Sequence, residues 1–265
     1  MDMVGDLTLW EVLLRFLAAF ALVGIIIIVS VMRGLDLERE LGLAILRAFG
    51  QLMLMALVLE WIFKSESLVL VVSLLAGMIV LAALTSRYRA SHIPGVLPVT
   101  LTAIASGSVI TLTLMVLAGV MPPTPVYLIP FGGMTIGNAM NVTSLSLNRL
   151  TGEVKGQRSR IESALALGAT GEEAMEPLNR QSVRMSLIPT IDNLKTLGII
   201  LIPGAMAGMM LGGVEPLVAA QFQIVVFFMI LCSNIIASTT AVRMAGRRLI
   251  NEDHQLVVPP TFGDG

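Results

Sequence analysis

Long apolar runs occupy most of this chain, and they constrain its fold more than any other feature. A helix needs roughly 20 apolar residues to cross a hydrocarbon core about 30 Å thick. About seven runs of that kind alternate here with charged or Pro/Gly-rich breaks. The predicted spans are 9–32, 41–63, 67–85, 96–121, 125–148, 193–213 and 216–242. Because lipid offers no partner for backbone N–H and C=O groups, such spans are helical. We therefore expect an all-α, polytopic integral membrane protein with one transmembrane domain over residues 1–265.

The composition agrees with a membrane protein and argues against several kinds of site. The chain is 55% hydrophobic and only 13% charged, which is too little charge for a soluble domain of this length. Cys232 is the single cysteine, which excludes an internal disulfide framework, and His92 and His254 lie too far apart in sequence to suggest a zinc site. The chain contains no phosphate-binding G-x-x-x-x-G-K-[ST] loop and no catalytic motif. We expect no enzymatic activity, no cofactor in this chain and no nucleic-acid partner.

The basic residues predict an orientation. With residue 1 outside, Lys64 is the one basic residue on the outer side, and Arg15 and Arg47 fall within spans. Fourteen basic residues then fall on the cytoplasmic side: Arg33, Arg39, Arg87, Arg89, Arg149, Lys155, Arg158, Arg160, Arg180, Arg184, Lys195, Arg243, Arg247 and Arg248. This asymmetry follows the positive-inside rule. It predicts a multi-pass protein of the cell membrane, in bacteria the inner membrane, with a cytoplasmic tail over residues 243–265.

The polar segment 149–192 is the one long break between predicted spans, and its first part predicts a short helix. Apolar or small residues recur there at the spacing of one helical face: Ile161, Ala164, Leu165 and Gly168. Gly168 suits the C-terminal end of a helix, where a left-handed residue is common. We therefore expect a short helix that lies on the cytoplasmic surface, with Glu162 in its first turn, where the helix dipole favours a carboxylate.

The second part of this segment predicts another short cytoplasmic helix. Thr170 is followed three residues later by Glu173, which is the pattern of a capping box. Pro177 is expected to restart this helix in its first turn, and Pro189 is expected to end it. Asp192 would then cap the sixth span.

The fifth span combines glycines with polar side chains. Gly133 and Gly137 form a small-xxx-small pair, which permits close approach between helices. Asn138 and Asn141 place amides at membrane depth, and hydroxyl and amide groups follow at Thr143, Ser144, Ser146 and Asn148. Such groups must be paired or face water. They serve either as contacts between helices or as the lining of a polar pathway.

The sixth span contains Gly204, Gly208 and Gly212 at four-residue intervals, preceded by Pro203. This spacing indicates a tight helix crossing. It also suits a helix that slides or bends during gating. The two interpretations are compatible with each other.

Arg47 and Gln51 share one face of the second span, because they are one turn apart. They are candidates for a polar pathway, although Arg47 lies close enough to the end of the span to reach the interface. Methionines on the two glycine-rich spans suggest either soft-metal ligands or ordinary core residues, and we favour the second. They are Met134, Met140, Met206, Met209 and Met210. Metal ligands therefore stay unassigned.

Six sequence segments, taken in order, resemble the Fet-type iron-export ABC permease family, which is related to the plant aluminium-tolerance permeases. They are LRAFGQL at 46–52, IGNAMN at 136–141, ESALALGAT at 162–170, SVRMSLIPTIDNLKTLG at 182–198, PGAMAGMMLGG at 203–213 and HQLVV at 254–258. The resemblance extends from about the second span to the tail. Ala205 departs from the family pattern, in which we expect methionine.

The resemblance implies a permease that is energised by a separate ATP-binding subunit. It implies iron export that supports metal homeostasis and oxidative-stress resistance, with another metal or a nucleotide sugar as alternative cargo. It further implies that Glu162, Leu165, Gly168 and Thr170 couple the permease to the ATPase. A second permease copy and membrane lipid are the other expected partners.

Two other classes of protein are less consistent with the sequence. An ion-coupled secondary transporter would need ionisable residues in the middle of its spans, and essentially none are there. A membrane-embedded enzyme or scaffold is unsupported by any catalytic motif.

Overall fold

The computed structural model describes residues 9–34, 36–65, 67–90, 93–251 and 255–256. These residues form nine α-helices and no β-strand. The helices are α1 (Leu9–Arg33), α2 (Glu38–Ser65), α3 (Leu68–Arg89), α4 (Val96–Leu117), α5 (Pro125–Gly156), α6 (Arg158–Ala166), α7 (Gly171–Thr196), α8 (Gly204–Leu211) and α9 (Pro216–Arg248). The predicted all-α architecture is therefore confirmed for the described residues. His92, His254 and most of the segment 254–258 lie outside them.

The chain divides into two compact units, and the first, Met1–Ser65, contains α1 and α2. A turn with positive φ at Gly34 and Asp36 joins these helices. The hydroxyl of Ser30, which is buried near the end of α1, donates to the Glu38 carboxylate at 2.9 Å and accepts from the Leu37 N–H at 3.2 Å. These two hydrogen bonds tie the end of α1 to the beginning of α2.

The second unit, Glu66–Gly265, contains α3 to α9. Its largest core cluster packs α4, α5 and α9 together with the polar-segment helices α6 and α7, through buried residues such as Leu150, Ile161, Met175 and Leu249. Full burial of one such aliphatic side chain contributes about 1.5–3 kcal/mol. The helices of the polar segment are therefore part of the same packed body as the apolar helices of this unit.

Two close crossings in the second unit occur at glycines that the sequence analysis did not single out. A Cβ atom at Gly107 in α4 would lie 2.7 Å from the Ser233 carbonyl oxygen and 2.9 Å from Ala237 Cβ in α9. A Cβ atom at Gly132 in α5 would overlap Leu75 of α3. At Gly107 the absence of a side chain permits α4 to approach the backbone of α9, and at Gly132 the space is filled by the end of the Leu75 side chain.

Four described helices are long and apolar enough to cross a membrane: α2, α3, α4 and α9. They coincide with the predicted second, third, fourth and seventh spans. Within α1, a shorter apolar stretch covers Phe20–Arg33. The predicted fifth span lies within α5, which continues beyond it to Gly156. The count of seven spans and the orientation stay predictions.

The sixth predicted span, 193–213, is not one continuous helix. The helix α7 ends at Thr196, the backbone of Gly198 is left-handed with φ +78°, and α8 begins only at Gly204. Pro203 precedes α8 and has no N–H that would continue a helix. The eight residues of α8 rise about 12 Å, which is well short of a core about 30 Å thick. The prediction of one helix over this range is wrong.

The second helix of the polar segment is also longer than predicted. It is the 26-residue helix α7, which contains Pro177 and Pro189 in its interior. Asp192 lies inside it as well and pairs with Lys195 at 3.1 Å, so it caps no further helix. Buried residues of α7, among them Met175 and Leu178, pack in the core. This tertiary packing outweighs the local cost of the two prolines.

Candidate functional site

The short helix α6 has one face in the core and one face in solvent. Ile161 is 1% exposed and packs in the main core cluster, and Ala164 and Leu165 pack against the same cluster. The predicted apolar face is therefore confirmed. Leu167, at the end of the helix, is 89% exposed. Helix α6 is therefore anchored in the core on one side and exposed to solvent on the other.

Gly168 ends α6 in the predicted manner. Its φ is +93°, its N–H donates to the Leu165 carbonyl at 3.0 Å, and the Ala169 N–H donates to the Ala164 carbonyl at 3.0 Å. These two bonds form a Schellman motif. A Cβ atom at Gly168 would meet nothing within 4 Å. A side chain is therefore penalised there by the backbone conformation, at about 1–2 kcal/mol, and not by a clash.

Thr170 and Glu173 form the predicted capping box at the start of α7. The Thr170 hydroxyl accepts from the Glu173 N–H at 3.3 Å, and the Thr170 N–H donates to Glu173 Oε2 at 2.8 Å. The hydroxyl also donates to Glu173 Oε2 at 2.8 Å. The pKa of the Glu173 carboxyl is lowered, first by the backbone N–H of Thr170 and then by its hydroxyl. The joint between α6 and α7 is thus fixed on both sides.

Glu162 lies outside the first turn of α6, contrary to the prediction. It is the fifth residue of the helix, and its Oε1 accepts from Arg158 Nε at 2.7 Å. Both side chains are exposed. An exposed pair of this kind contributes only about 0–1 kcal/mol. Glu162 can therefore exchange Arg158 for another basic residue at little cost.

The two asparagines of α5 are not free of partners. Asn138 Nδ2 donates to the Met134 carbonyl at 2.8 Å. Asn141 Oδ1 accepts from Arg89 Nη1 at 3.1 Å, which links α5 to the end of α3. Of the two predicted packing glycines nearby, Gly133 would place a Cβ atom 3.3 Å from Met78 Cε, whereas Gly137 would meet nothing within 4 Å.

Arg47 and Gln51, the other candidates for a polar pathway, lie on α2 in the first unit. Both are exposed there. Gln51 is the fourteenth of the 28 residues of that helix and so lies at its middle, and Arg47 lies one turn before it.

The three glycines around α8 make no close helix crossing within the described chain. Cβ atoms at Gly204 and Gly208 would meet nothing within 4 Å, and one at Gly212 would meet only backbone carbonyls of α8 itself. Pro203 and Gly212 flank the helix, and Gly213, with φ +89°, closes it with a second Schellman motif. The predicted tight crossing at these glycines is therefore not found within the described residues.

A set of buried polar atoms in α4 and α9 was missed by the sequence analysis. Five side-chain oxygens there are buried and have no hydrogen-bond partner among the described residues: those of Ser108, Thr111, Gln223, Ser233 and Asn234. The amide nitrogen of Asn234 donates to Thr190 Oγ1 at 3.0 Å. Two features of the sequence could have revealed these groups. Residues 100–113 are rich in hydroxyl side chains, and Ser233 and Asn234 lie in an otherwise apolar helix.

Acidic, histidine and cysteine side chains form no cluster of three or more that would hold a metal ion in the described part of the chain.

Several known proteins are similar to this chain over most of its length. The rice protein "UPF0014 membrane protein STAR2" is 39% identical over 85% of this chain and 79% of its own. "Protein ALUMINUM SENSITIVE 3" of Arabidopsis thaliana is 37% identical over 90% of this chain and 88% of its own. "Probable iron export permease protein FetB" of Escherichia coli is 34% identical over 91% of this chain and 93% of its own. No solved structure matches the chain.

The model of the family described as "Uncharacterised protein family (UPF0014)" matches residues 13–250. That range contains α6, the Gly168 stop, the capping box and the buried polar atoms of α4 and α9. The resemblance to Fet-type permeases and their plant relatives is confirmed by these similarities. The chain belongs to the UPF0014 family of membrane proteins.

Proposed function

We propose that this protein is the membrane subunit of an ABC transporter that exports iron and is energised by a separate ATP-binding subunit. The observation that carries the proposal is the geometry of α6, which is a short helix anchored in the core by Ile161 and closed by the left-handed Gly168. The similarity of the chain to a protein named as a probable iron export permease supports the cargo. The chain itself hydrolyses no ATP, and the nucleotide binds to the partner.

Coupling in this proposal runs from α6 into α7. The ATP-binding subunit holds the exposed side of α6, where Glu162 exchanges its exposed partner Arg158 for a basic residue of that subunit. The capping box at Thr170 joins α6 stiffly to α7, whose 26 residues extend about 39 Å. At its far end, α7 reaches the irregular segment 197–203 and then α8. A tilt of α7 would therefore move the irregular segment 197–203.

Iron follows oxygen-rich surfaces in this proposal. Iron ions are harder than Cu(I), so amide and hydroxyl oxygens suit them better than methionine sulfur. Asn138 and Asn141 carry such oxygens, and so does Gln51 on α2. Arg47, one turn before Gln51, has no oxygen and is a candidate only for lining the path. The unpartnered oxygens of α4 and α9 add a second set, because buried polar groups in lipid need a partner.

A second copy of the permease completes the membrane part of the transporter. The open faces of Gly204 and Gly208 favour this arrangement, because small residues on an uncovered helix face allow another helix to approach closely. Lipid then covers the remaining apolar surface. A homodimer with two ATP-binding subunits follows from this arrangement.

The experiment is reconstitution of the permease with its ATP-binding subunit in inside-out vesicles. We expect ATP-dependent iron accumulation in the vesicles, and cells without the protein should retain iron and become more sensitive to peroxide. If ATP drives the movement of another metal or of a nucleotide sugar and iron does not move, that solute is the cargo and the proposed ABC mechanism still holds. Iron transport that is driven by an ion gradient and is independent of ATP would overturn the proposed ABC mechanism.

The proposed orientation has its own test. Single cysteines at Ser65 and Thr124 should react with a membrane-impermeant thiol reagent added to intact cells, and one at Ser159 should not. Ser65 ends α2, and Thr124 precedes α5, so both lie at helix ends that the positive-inside rule places outside. Labelling of Ser159 from outside would reverse the orientation.

A further inference from the structure

Two cavities lie along the contact between α7 and α9. The smaller has a volume of about 190 Å³ and lies between the start of α7 and the end of α9. The larger, of about 480 Å³, lies further along the two helices. Asn179 and Arg243 line both cavities. A ligand in the smaller one would touch both helices just behind the joint with α6.

The smaller cavity contains two guanidinium groups that share one carboxylate. Arg243 Nη2 lies 3.5 Å from Glu172 Oε1, and Arg247 Nη2 lies 3.6 Å from Glu172 Oε2. Charge-assisted hydrogen bonds are shorter than this, at about 2.7–2.9 Å. Neither arginine donates a hydrogen bond to the part of the chain that the structure describes. Both guanidinium forks therefore keep N–H donors and, together with Glu172, one excess positive charge.

Asn179 supplies a buried polar group at the same place. Its side chain is 8% exposed, and its Oδ1 is buried without a hydrogen-bond partner among the described residues. A Cβ atom at Gly246 of α9 would lie 3.0 Å from this oxygen, so the glycine makes room for the amide. Rotation of the amide presents either its acceptor or its donor to the cavity. A buried amide oxygen without a partner among the described residues suggests that a ligand completes this site.

The charges around the two cavities favour an anion over a cation. Four arginines line them, Arg180, Arg184, Arg243 and Arg247, against two carboxylates, Glu172 and Glu176. The described linings therefore carry a net charge of +2. Paired guanidinium forks match the oxygen geometry of a phosphate group.

We propose that the smaller cavity binds a phosphate-type oxyanion, held by Arg243, Arg247 and the amide of Asn179. The anion bridges the start of α7 and the end of α9 and so stiffens the segment next to α6. The site lies apart from the proposed cargo path and does not depend on the identity of the cargo. The phosphate group comes either from solution or from the headgroup of an anionic lipid.

The test is calorimetric titration of inorganic phosphate into the purified full-length protein in detergent, at constant ionic strength. We expect saturable binding, which Arg243→Gln and Arg247→Gln each weaken about tenfold through loss of a charge-assisted hydrogen bond. Both side chains are exposed by more than half, so these variants should fold. Arg149→Gln is the control, because this arginine is exposed on α5 and lines neither cavity. It should bind phosphate as the wild type does.

The two sources are separated by repeating the titration in nanodiscs. If the lipid headgroup is the natural ligand, discs with phosphatidylglycerol weaken phosphate binding relative to discs with phosphatidylcholine, and the arginine variants lose this competition. If free phosphate is the ligand, the two kinds of disc give the same affinity.

Two results would overturn the proposal. One is the absence of saturable phosphate binding in detergent and of any lipid competition. The other is unchanged affinity in Arg243→Gln and Arg247→Gln.

Discussion

The two short helices α6 and α8 end in the same way but are held by the protein very differently. Each is closed by a Schellman motif at a left-handed glycine, Gly168 after α6 and Gly213 after α8. Ile161 of α6 is fully buried in the main core, whereas α8 has no buried residue in the described chain. The same local signal thus closes one helix that is built into the core and one that lies against it loosely.

This difference agrees with different roles in the proposed transporter. An element that receives force from a partner must transmit it to the core, which Ile161 and the capping box of α7 allow. An element that contacts a second copy of the chain must keep a face uncovered, as Gly204 and Gly208 do. If α6 is held by the core and α8 is not, substitutions in the two helices should have different effects.

Replacement of the buried anchor should have the largest effect on stability. Ile161→Ala should lower the free energy of unfolding by about 2–5 kcal/mol, because it leaves a cavity in the core. Leu211→Ala in α8 should change it by less than about 0.5 kcal/mol, since that side chain is 79% exposed. Thermal unfolding in detergent measures both. Equal losses for the two variants would remove the contrast between α6 and α8.

Glycine-to-alanine replacements should separate a packed crossing from an open helix face. Gly107→Ala should cost about 1–3 kcal/mol, because its Cβ atom would meet the Ser233 carbonyl at 2.7 Å and backbone cannot give way easily. Gly208→Ala should leave stability unchanged or raise it by about 0.5–1 kcal/mol, since glycine is unfavourable within a helix. Denaturant unfolding of the purified variants measures both free energies.

The bulkier Gly208→Leu tests whether a second copy covers α8. It should leave the folded chain intact but weaken self-association, since it adds bulk where another helix is expected to approach. Crosslinking in membranes and native mass spectrometry give the oligomeric state. If Gly208→Leu instead lowers the stability of the chain, while its folded fraction still dimerises normally, the face of Gly208 is covered within the chain.

Local signals in the sequence predicted the joint between α6 and α7 well. The left-handed Gly168 and the Thr170–Glu173 box depend on residues a few positions apart, so their spacing alone contains the information. The burial of Ile161 followed from the same helical periodicity.

The long-range features could not be predicted in the same way. Helix α7 continues through Pro177 and Pro189 because residues such as Leu178 are buried in the core, which neighbouring sequence does not reveal. The spacing of Gly204 and Gly208 resembles that of a packed crossing, yet the tight crossing is at Gly107. Whether a glycine touches another helix depends on what lies opposite, and that is a property of the fold.

Coupling should be lost when the left-handed stop of α6 is changed. Gly168→Asp should cost about 1–2 kcal/mol through its backbone conformation, leaving the permease inserted and folded. Because the outer end of α6 would change direction, transport and substrate-stimulated ATP hydrolysis should disappear. Gly119→Asp is a matched control, since Gly119 also has positive φ, +69°, and open space around its Cβ position. It lies between α4 and α5, away from the coupling segment.

The two variants are compared in vesicles that contain the ATP-binding subunit. Subunit association and coupled ATP hydrolysis should be normal for Gly119→Asp and impaired for Gly168→Asp. A fully active Gly168→Asp transporter would mean that this segment is a surface linker and takes no part in coupling.

The capping box should give α7 a small, pH-dependent stabilisation that α8 does not have. Hydrogen bonds from Thr170 lower the pKa of Glu173 below its usual 4.5. A carboxyl with a lowered pKa in the folded state stabilises that state above its unfolded pKa, and the effect is lost as the pH falls through the folded value. The stability difference between the wild type and Thr170→Ala should therefore be full at pH 7 and decrease below about pH 4.5.

Thr124→Ala is the control, because Thr124 precedes α5 without a side-chain capping bond, so its effect should not depend on the pH in this range. Unfolding midpoints measured from pH 7 to pH 3 give both differences, and a Thr170→Ala effect that stays constant across this range would show that the hydrogen bond from the Thr170 hydroxyl to the Glu173 carboxylate does not contribute to the cap.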